Sequence, residues 1–129
     1  MKVFVDTSAL MAIIDPSDAR GRAARQWITN ANRHVLLTHN YVIAESLALI
    51  ERRIGRSAVS GLRHAVLPIL DIRWIARDEH ERALDEHLQS SRRSSFVDQV
   101  SFVAMRDAGI TTAFAFDDDF ARAGFTVVP

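Results

Sequence analysis

Four acidic residues stand where an apolar run ends or a helix begins. Asp6 follows Val3-Phe4-Val5, and Glu45 sits among Tyr41, Val42, Ile43, Ala44 and Leu47. Asp98 follows Phe96-Val97, and Asp117 follows the run 111–116. A carboxylate so placed either caps a helix or directs charge at a ligand. If all four met in one place, their mutual repulsion would raise their pKa values. A divalent cation removes that repulsion, and carboxylate oxygens with water suit Mg²⁺ or Mn²⁺. The chain has no cysteine and five histidines without ligand spacing, so nothing favours zinc. An ion of this kind activates water and offsets charge on a phosphoryl oxygen.

Whether the acids meet depends on the elements that carry them. Residues 2–5 read as a short buried strand. A helix follows, with Leu10, Ile13 and Ile14 at helical spacing, broken at Asp15-Pro16. Ser17 is the expected N-cap of a helix over 18–31 with Ala23, Ala24, Trp27 and Ile28 inward. Residues 34–38 form a second strand, and 41–54 a helix ended by Gly55, with Asn40 as its expected cap. A helix over 57–69 carries Pro68 near its end. Residues 71–76 alternate Ile72, Trp74 and Ala76 as a strand does. A surface helix over 78–90 has Ala83, Leu84 and Leu88 inward. After a polar loop come an apolar helix over 96–108, closed by Gly109, a strand over 111–116, a short turn or helix and a final strand.

Strands alternate with helices throughout. That order predicts a three-layer α/β/α fold on a mainly parallel central sheet of four to five short strands. Ligands of such sheets sit beyond the carboxyl ends of the strands, and Asp6, Glu45, Asp98 and Asp117 are all delivered there. Each has a simpler role open to it. Asp6 can cap the first helix, Asp98 can complete a capping box with Ser95, Glu45 can be an ordinary helix residue, and Asp117 to Asp119 can form a solvated turn, with Asp119 capping the helix after it. The agreement of four carries the reading. Thr7 and Ser8 are expected to hold the Asp6 carboxylate or water beside it.

At 129 residues the chain suits a single domain, 1–129, with one core. Net charge is zero, so the chain is not a polycation. Yet Lys2 is the only lysine among 16 basic residues; arginine is the better fork for phosphate, and a plain composition bias gives the same count. No signal peptide and no apolar run of bilayer-spanning length is evident, and a soluble, cytoplasmic protein without membrane contact is expected.

The segments "VFVDTSAL", "YVIAESLALIERR", "SFVDQVSFVAMRDAGI" and "AFAFDDDFARAGF", in this order and spacing, resemble a PIN domain, and more closely the VapC-type toxins of bacterial and archaeal toxin–antitoxin pairs. The resemblance covers nearly the whole chain, although residues 56–90 match only in element order. It implies a metal-dependent endoribonuclease in which one or two Mg²⁺ or Mn²⁺ ions and a metal-activated water hydrolyse RNA phosphodiesters, leaving 5′-phosphate and 3′-hydroxyl ends. Asp6 and Asp98 are the implied direct ligands. Glu45 and Asp117 would hold a second ion or orient water, and Asp119 is a secondary position. The resemblance also implies a homodimer and a cognate antitoxin that inserts a basic side chain or blocks the acids.

Arg92 and Arg93 in the loop before Asp98, and Arg52, Arg53 and Arg56 at a helix end, are the candidate RNA contacts, each with an ordinary solvated face as its other reading. The five histidines read as structural, Trp27 and Trp74 as packing residues, and Asp78 with Arg82 as an i, i+4 pair. Two other classes share such a sheet. A phosphoryl-handling domain would need a lysine near its acids, whereas Lys2 lies at the wrong end of the first strand. A non-catalytic binding module would not need all four acids.

Overall fold

The computed structural model describes residues 1–129. In chain order the elements are β1 (Lys2–Val5), α1 (Thr7–Ile14), α2 (Gly21–Thr29), β2 (Val35–His39), α3 (Asn40–Arg53), α4 (Arg56–Gly61), β3 (Asp71–Arg73), α5 (Arg77–Gln89), α6 (Phe96–Ala108), β4 (Thr112–Phe114), α7 (Asp119–Arg122) and β5 (Thr126–Val128). Five strands form one sheet in the order β3-β2-β1-β4-β5, and every pairing is parallel. The sheet expected to be mainly parallel is wholly so.

β1 lies at the centre because Val3, Phe4 and Val5 are all buried, which suits a strand covered on both faces. The chain steps from β1 outward to β3, then returns past β1 to β4 and β5. Right-handed crossovers therefore put α1 to α4 on one face and α5 to α7 on the other. The helix contacts agree, with α1 on α2 and α3, and α6 on α5 and α7. Phe102 of α6 and Phe120 of α7 meet edge to face at 5.2 Å, and Phe120 reaches Phe4 of β1 at 6.0 Å. On the opposite face Trp27 of α2 packs on Phe114 of β4 at 4.4 Å, as expected for Trp27.

Several local expectations are corrected. Ser17 does not cap α2; its hydroxyl donates to Asp15 Oδ1 at 2.8 Å, and the helix starts only at Gly21, with Ala23 outward. The helix expected over 57–69 is α-helical only to Gly61. It widens to a π turn over Leu62–Val66 and tightens to 3₁₀ over Leu67–Ile69. Pro68 has no N–H for an i→i−4 bond and its ring crowds the carbonyl four residues back, so the regular helix cannot reach it. Trp74 lies beyond the three-residue edge strand β3 and is 74% exposed, so it is not core. Leu88, at 76%, lies in the last turn of α5 and faces solvent. Arg82 turns away from Asp78 to Asp107, because the packing of α5 on α6 brings that carboxylate within reach.

Candidate active site

The strand order reverses between β1 and β4, and the crevice of an open α/β sheet opens at the carboxyl ends of such a pair. Asp6 leaves β1 there, and its N–H donates to the Phe114 carbonyl at the end of β4, at 3.1 Å. The Asp6 carboxylate caps α1. Its Oδ2 accepts from the Ser8 N–H at 3.1 Å and from the Ser8 hydroxyl at 2.7 Å. The same hydroxyl accepts from the Phe116 N–H at 3.0 Å. Ser8 thus ties the exit of β4 to Asp6.

Asp98 arrives from the other layer. Its N–H donates to Ser95 Oγ at 3.1 Å and its Oδ2 accepts from the Ser95 N–H at 3.3 Å, a reciprocal capping box. Asp117 Oδ1 accepts from the Asp119 N–H at 3.2 Å. Capping and convergence coexist: carboxylate oxygens of Asp6, Asp98 and Asp117 all lie within 4.8 Å of one another. Glu45 is half-buried and lines the same cleft of about 300 Å³, with Thr7, Ser8, Asp18, Arg20, Arg53 and Ser95.

The electrostatics follow from that geometry. Burial pushes Asp6 up to about 7, against the pull of its Ser8 hydrogen bond and with the help of the Asp117 charge. Burial, then the charges of Asp6 and Asp117, push Asp98 up to about 8. Asp117 is raised as well, mainly by burial. The site holds protons it would surrender to a cation. The donors are carboxylate oxygens with no nitrogen or sulfur among them. The Thr7 hydroxyl, buried at the cleft wall, has no protein partner. Both observations fit a hard divalent ion with water in its shell.

The other expected residues are dispersed. Asp119 faces the cluster, where its charge adds to the rise of Asp98, but its carboxylate is paired with Arg122 at 2.7 Å. Of the five arginines expected at RNA, only Arg53 lines the acid cleft. Arg92 lines a separate polar depression with Glu86, Gln99 and Arg106, Arg93 and Arg52 are exposed, and Arg56 pairs with Glu51 at 3.3 Å. The larger apolar groove, about 730 Å³ and bounded by α3, Pro68 and Trp74, holds no acid.

Two residues of this cleft, and the capping role of a histidine read only as structural, were not legible in the sequence. Asp18 and Arg20, expected at the start of the helix over 18–31, lie in the loop before α2, which begins only at Gly21. His39 is fully buried and caps α3, the role expected of Asn40. Its Nδ1 accepts from the Tyr41 and Val42 N–H groups at 3.2 and 3.3 Å, so Nε2 carries the proton and donates to Ser101 Oγ at 2.8 Å. Ser101 in turn donates to the Val97 carbonyl at 3.1 Å. Burial, then the charge of Arg73, drives the imidazole pKa down to about 3 and keeps it neutral. His39 therefore ties α3, which carries Glu45, to α6, which carries Asp98. Asn40 instead accepts from the Ile75 N–H at 2.7 Å. The position of His39, at the junction of a strand and the helix it caps, repeats that of Asp6 and is the one available signal for it.

Residues 3–126 match the PIN domain family. The chain is also 38% identical over 129 residues, covering 98% of itself and 97% of the relative, to the 23S rRNA-specific endonuclease VapC20 of Mycobacterium tuberculosis, strains CDC 1551 / Oshkosh and H37Rv alike.

The chain belongs to the PIN family.

A solved PIN structure agrees. The crystal structure of the M. tuberculosis VapC20 toxin, named for cleaving the sarcin–ricin loop, superposes with a TM-score of 0.85 at 34% identity, covering 96% of each chain. The matched span contains each of the clustered acids, so they are part of the shared PIN fold and not of an appended segment.

Two outcomes are expected. The native acids keep protons that the unfolded chain, at the ordinary value of 3.8, has lost. Between about pH 4 and pH 8 the native state then binds more protons, and metal-free stability falls as pH rises through that window. Urea midpoints in EDTA should drop from pH 5 to pH 8.5, and Asp98→Asn, which keeps the cap, should flatten the trend and raise stability at pH 8.5 by about 1 kcal/mol. A midpoint indifferent to pH in the parent would contradict the cluster's electrostatics. Separately, His39→Ala strands two N–H groups and a hydroxyl. It should cost about 1–3 kcal/mol by urea denaturation, with His39→Asn, which keeps an acceptor at the cap, losing less.

Proposed function

We propose that this chain is a divalent-metal-dependent endoribonuclease acting as the toxin of a VapBC-like pair, with large-subunit ribosomal RNA as its substrate. The observation that carries the reading is the triad of buried Asp6 and Asp98 with half-buried Asp117 at the switch point of a PIN sheet. The RNA class is supported by relatives named for cleaving 23S rRNA and its sarcin–ricin loop.

In this reading Asp6, Asp98 and Asp117 hold Mg²⁺ or Mn²⁺, and Glu45 stands across the cleft to orient water or share a second ion. Bound there, the ion supplies a water acidic enough to attack a phosphodiester and offsets charge on the phosphoryl oxygens. The residues' part is positional. The Ser8 hydroxyl and N–H hold one face of Asp6, and Ser95 holds Asp98, so neither carboxylate has to reorganise when a substrate arrives. The Thr7 hydroxyl beside them is buried and has no protein partner.

We read 1–129 as one domain, supported by a family match that spans nearly all of it. No helix is long and apolar enough to cross a membrane. An antitoxin and a second copy of the chain are the partners this reading adds. The exposed Trp74 beside the apolar groove suits such a contact.

Purified protein should cut rRNA in Mg²⁺ or Mn²⁺ and stop in EDTA. Asp6→Asn and Asp98→Asn should each lower the rate by about two orders of magnitude or more while circular dichroism stays that of the parent. Mapping the new 5′ ends locates the cut. Undiminished cleavage by a carefully purified Asp98→Asn protein would remove that residue from the site.

A further inference from the structure

The acid cleft attracts a cation but repels the phosphate that must enter with it. One guanidinium stands at its wall in a fixed pose. Arg20 Nε donates to Asp18 Oδ1 at 3.2 Å and Nη2 to Asp18 Oδ2 at 3.3 Å, while Nη1 reaches the Phe116 carbonyl at 3.4 Å. Its Cζ lies 5.2 Å from the centre of the Phe116 ring. Asp18 is itself oriented, its Oδ1 accepting the Arg20 N–H at 2.8 Å. Arg20 and Asp18 both line the cleft of the acids, and the Arg20 charge acts on neighbouring Asp117.

A guanidinium has five N–H donors. Three are used, which leaves two unpartnered, one on each Nη. The side chain is 46% exposed. Two N–H groups on one rigid plane match two non-bridging oxygens of a phosphodiester. Pairing with Asp18 removes much of the net charge but also the rotamer freedom that a free arginine would lose on binding. An exposed ion pair contributes little to stability, and here it serves to aim the fork.

We infer that Arg20, held by Asp18 and Phe116, is a substrate-binding residue that grips the non-bridging oxygens of the RNA phosphodiester entering the acid cleft. The inference rests on the ribonuclease reading above. Arg53, the other guanidinium at this cleft, has no such bracing partner and is the looser contact. Arginine is required and not merely a positive charge, because a lysine offers no fork and cannot hold Asp18 with one edge while presenting another.

The test has a binding arm and a cleavage arm. In a non-cleaving Asp98→Asn background with Mn²⁺ present, a fluorescent single-stranded oligoribonucleotide should bind about tenfold more weakly when Arg20→Ala is added. The slope of log affinity against log salt should fall by about 0.7, the mark of one lost phosphate contact on a single strand. Arg20→Lys should recover less than half of that loss on the logarithmic scale. In the otherwise unaltered protein, Arg20→Ala should slow single-turnover cleavage about 10²-fold, with partial rescue by added guanidinium ion and none by potassium at equal ionic strength. Arg22→Ala, an exposed neighbour, should behave as the parent. An unchanged salt slope, or full recovery by lysine, overturns the inference. If Arg20→Ala fails to fold, Arg20→Lys carries the same comparison. If the parent cleaves no RNA, the ribonuclease reading falls and the binding arm still decides the role of Arg20.

Discussion

Three carboxylates within 4.8 Å of one another, largely withdrawn from water, are the constraint around which this molecule is organised. Such a group opposes folding at neutral pH, since burial and repulsion both disfavour the charged forms. Topology enforces it. β1 and β4 are adjacent in the sheet but separated in the chain by two strands and six helices, and their carboxyl ends leave a crevice at the point of reversal. Asp6 and Asp117 leave the sheet on either side of that crevice, and α6 starts above it.

Helix capping is the means by which the constraint is held. In a parallel sheet each covering helix begins near the carboxyl end of a strand, so N-caps gather at the rim where ligands bind. Asp6 caps α1, His39 caps α3, and Ser95 with Asp98 caps α6. The bonds that satisfy orphan N–H groups also fix the side chains facing the cleft. The caps pull the acids' pKa values down, but for Asp6 and Asp98 burial is the larger effect and wins. His39 fits the same scheme as a neutral acceptor. A carboxylate at its position would add another negative charge to the region, whereas a neutral imidazole accepts from two N–H groups and still donates to Ser101.

Features governed by short-range periodicity were legible in the chain. Val3-Phe4-Val5 before Asp6 and Ser95-x-x-Asp98 before an apolar run carry their own signals, and β1, α6 and the acid rim stand where those signals put them. Features that depend on what lies opposite were not legible. Nothing in the alternation of Ile72, Trp74 and Ala76 reveals that β3 is an edge strand of three residues, so Trp74 faces solvent. Arg82 bonds α6 and not its own helix because of tertiary packing. Arg92 and Arg93 are near Asp98 in sequence, yet the loop turns Arg92 to the flank shared with Glu86 and Arg106. Arg20 reaches the cleft from a loop where only hydrogen bonding sets direction.

Zero net charge constrains how a nucleic-acid ligand can be recognised. A polyanion drawn by overall field would need a basic surface, and this chain's 16 basic and 16 acidic residues cancel. Beyond about 8–10 Å at ordinary ionic strength individual charges are screened. Local charges, those at the cleft among them, then matter more than the overall field. Without a cation the cleft is lined by carboxylates against two guanidinium groups, one of them already committed to Asp18. On the proposed reading, the acids that would hold the ion and the fork that would meet the phosphate depend on each other. Two divalent charges at the triad would reverse the sign of the floor, and only then would the free edge of Arg20 add to an attractive field instead of opposing a repulsive one. In such a site metal and RNA bind with positive coupling through charge alone, with no change of shape required.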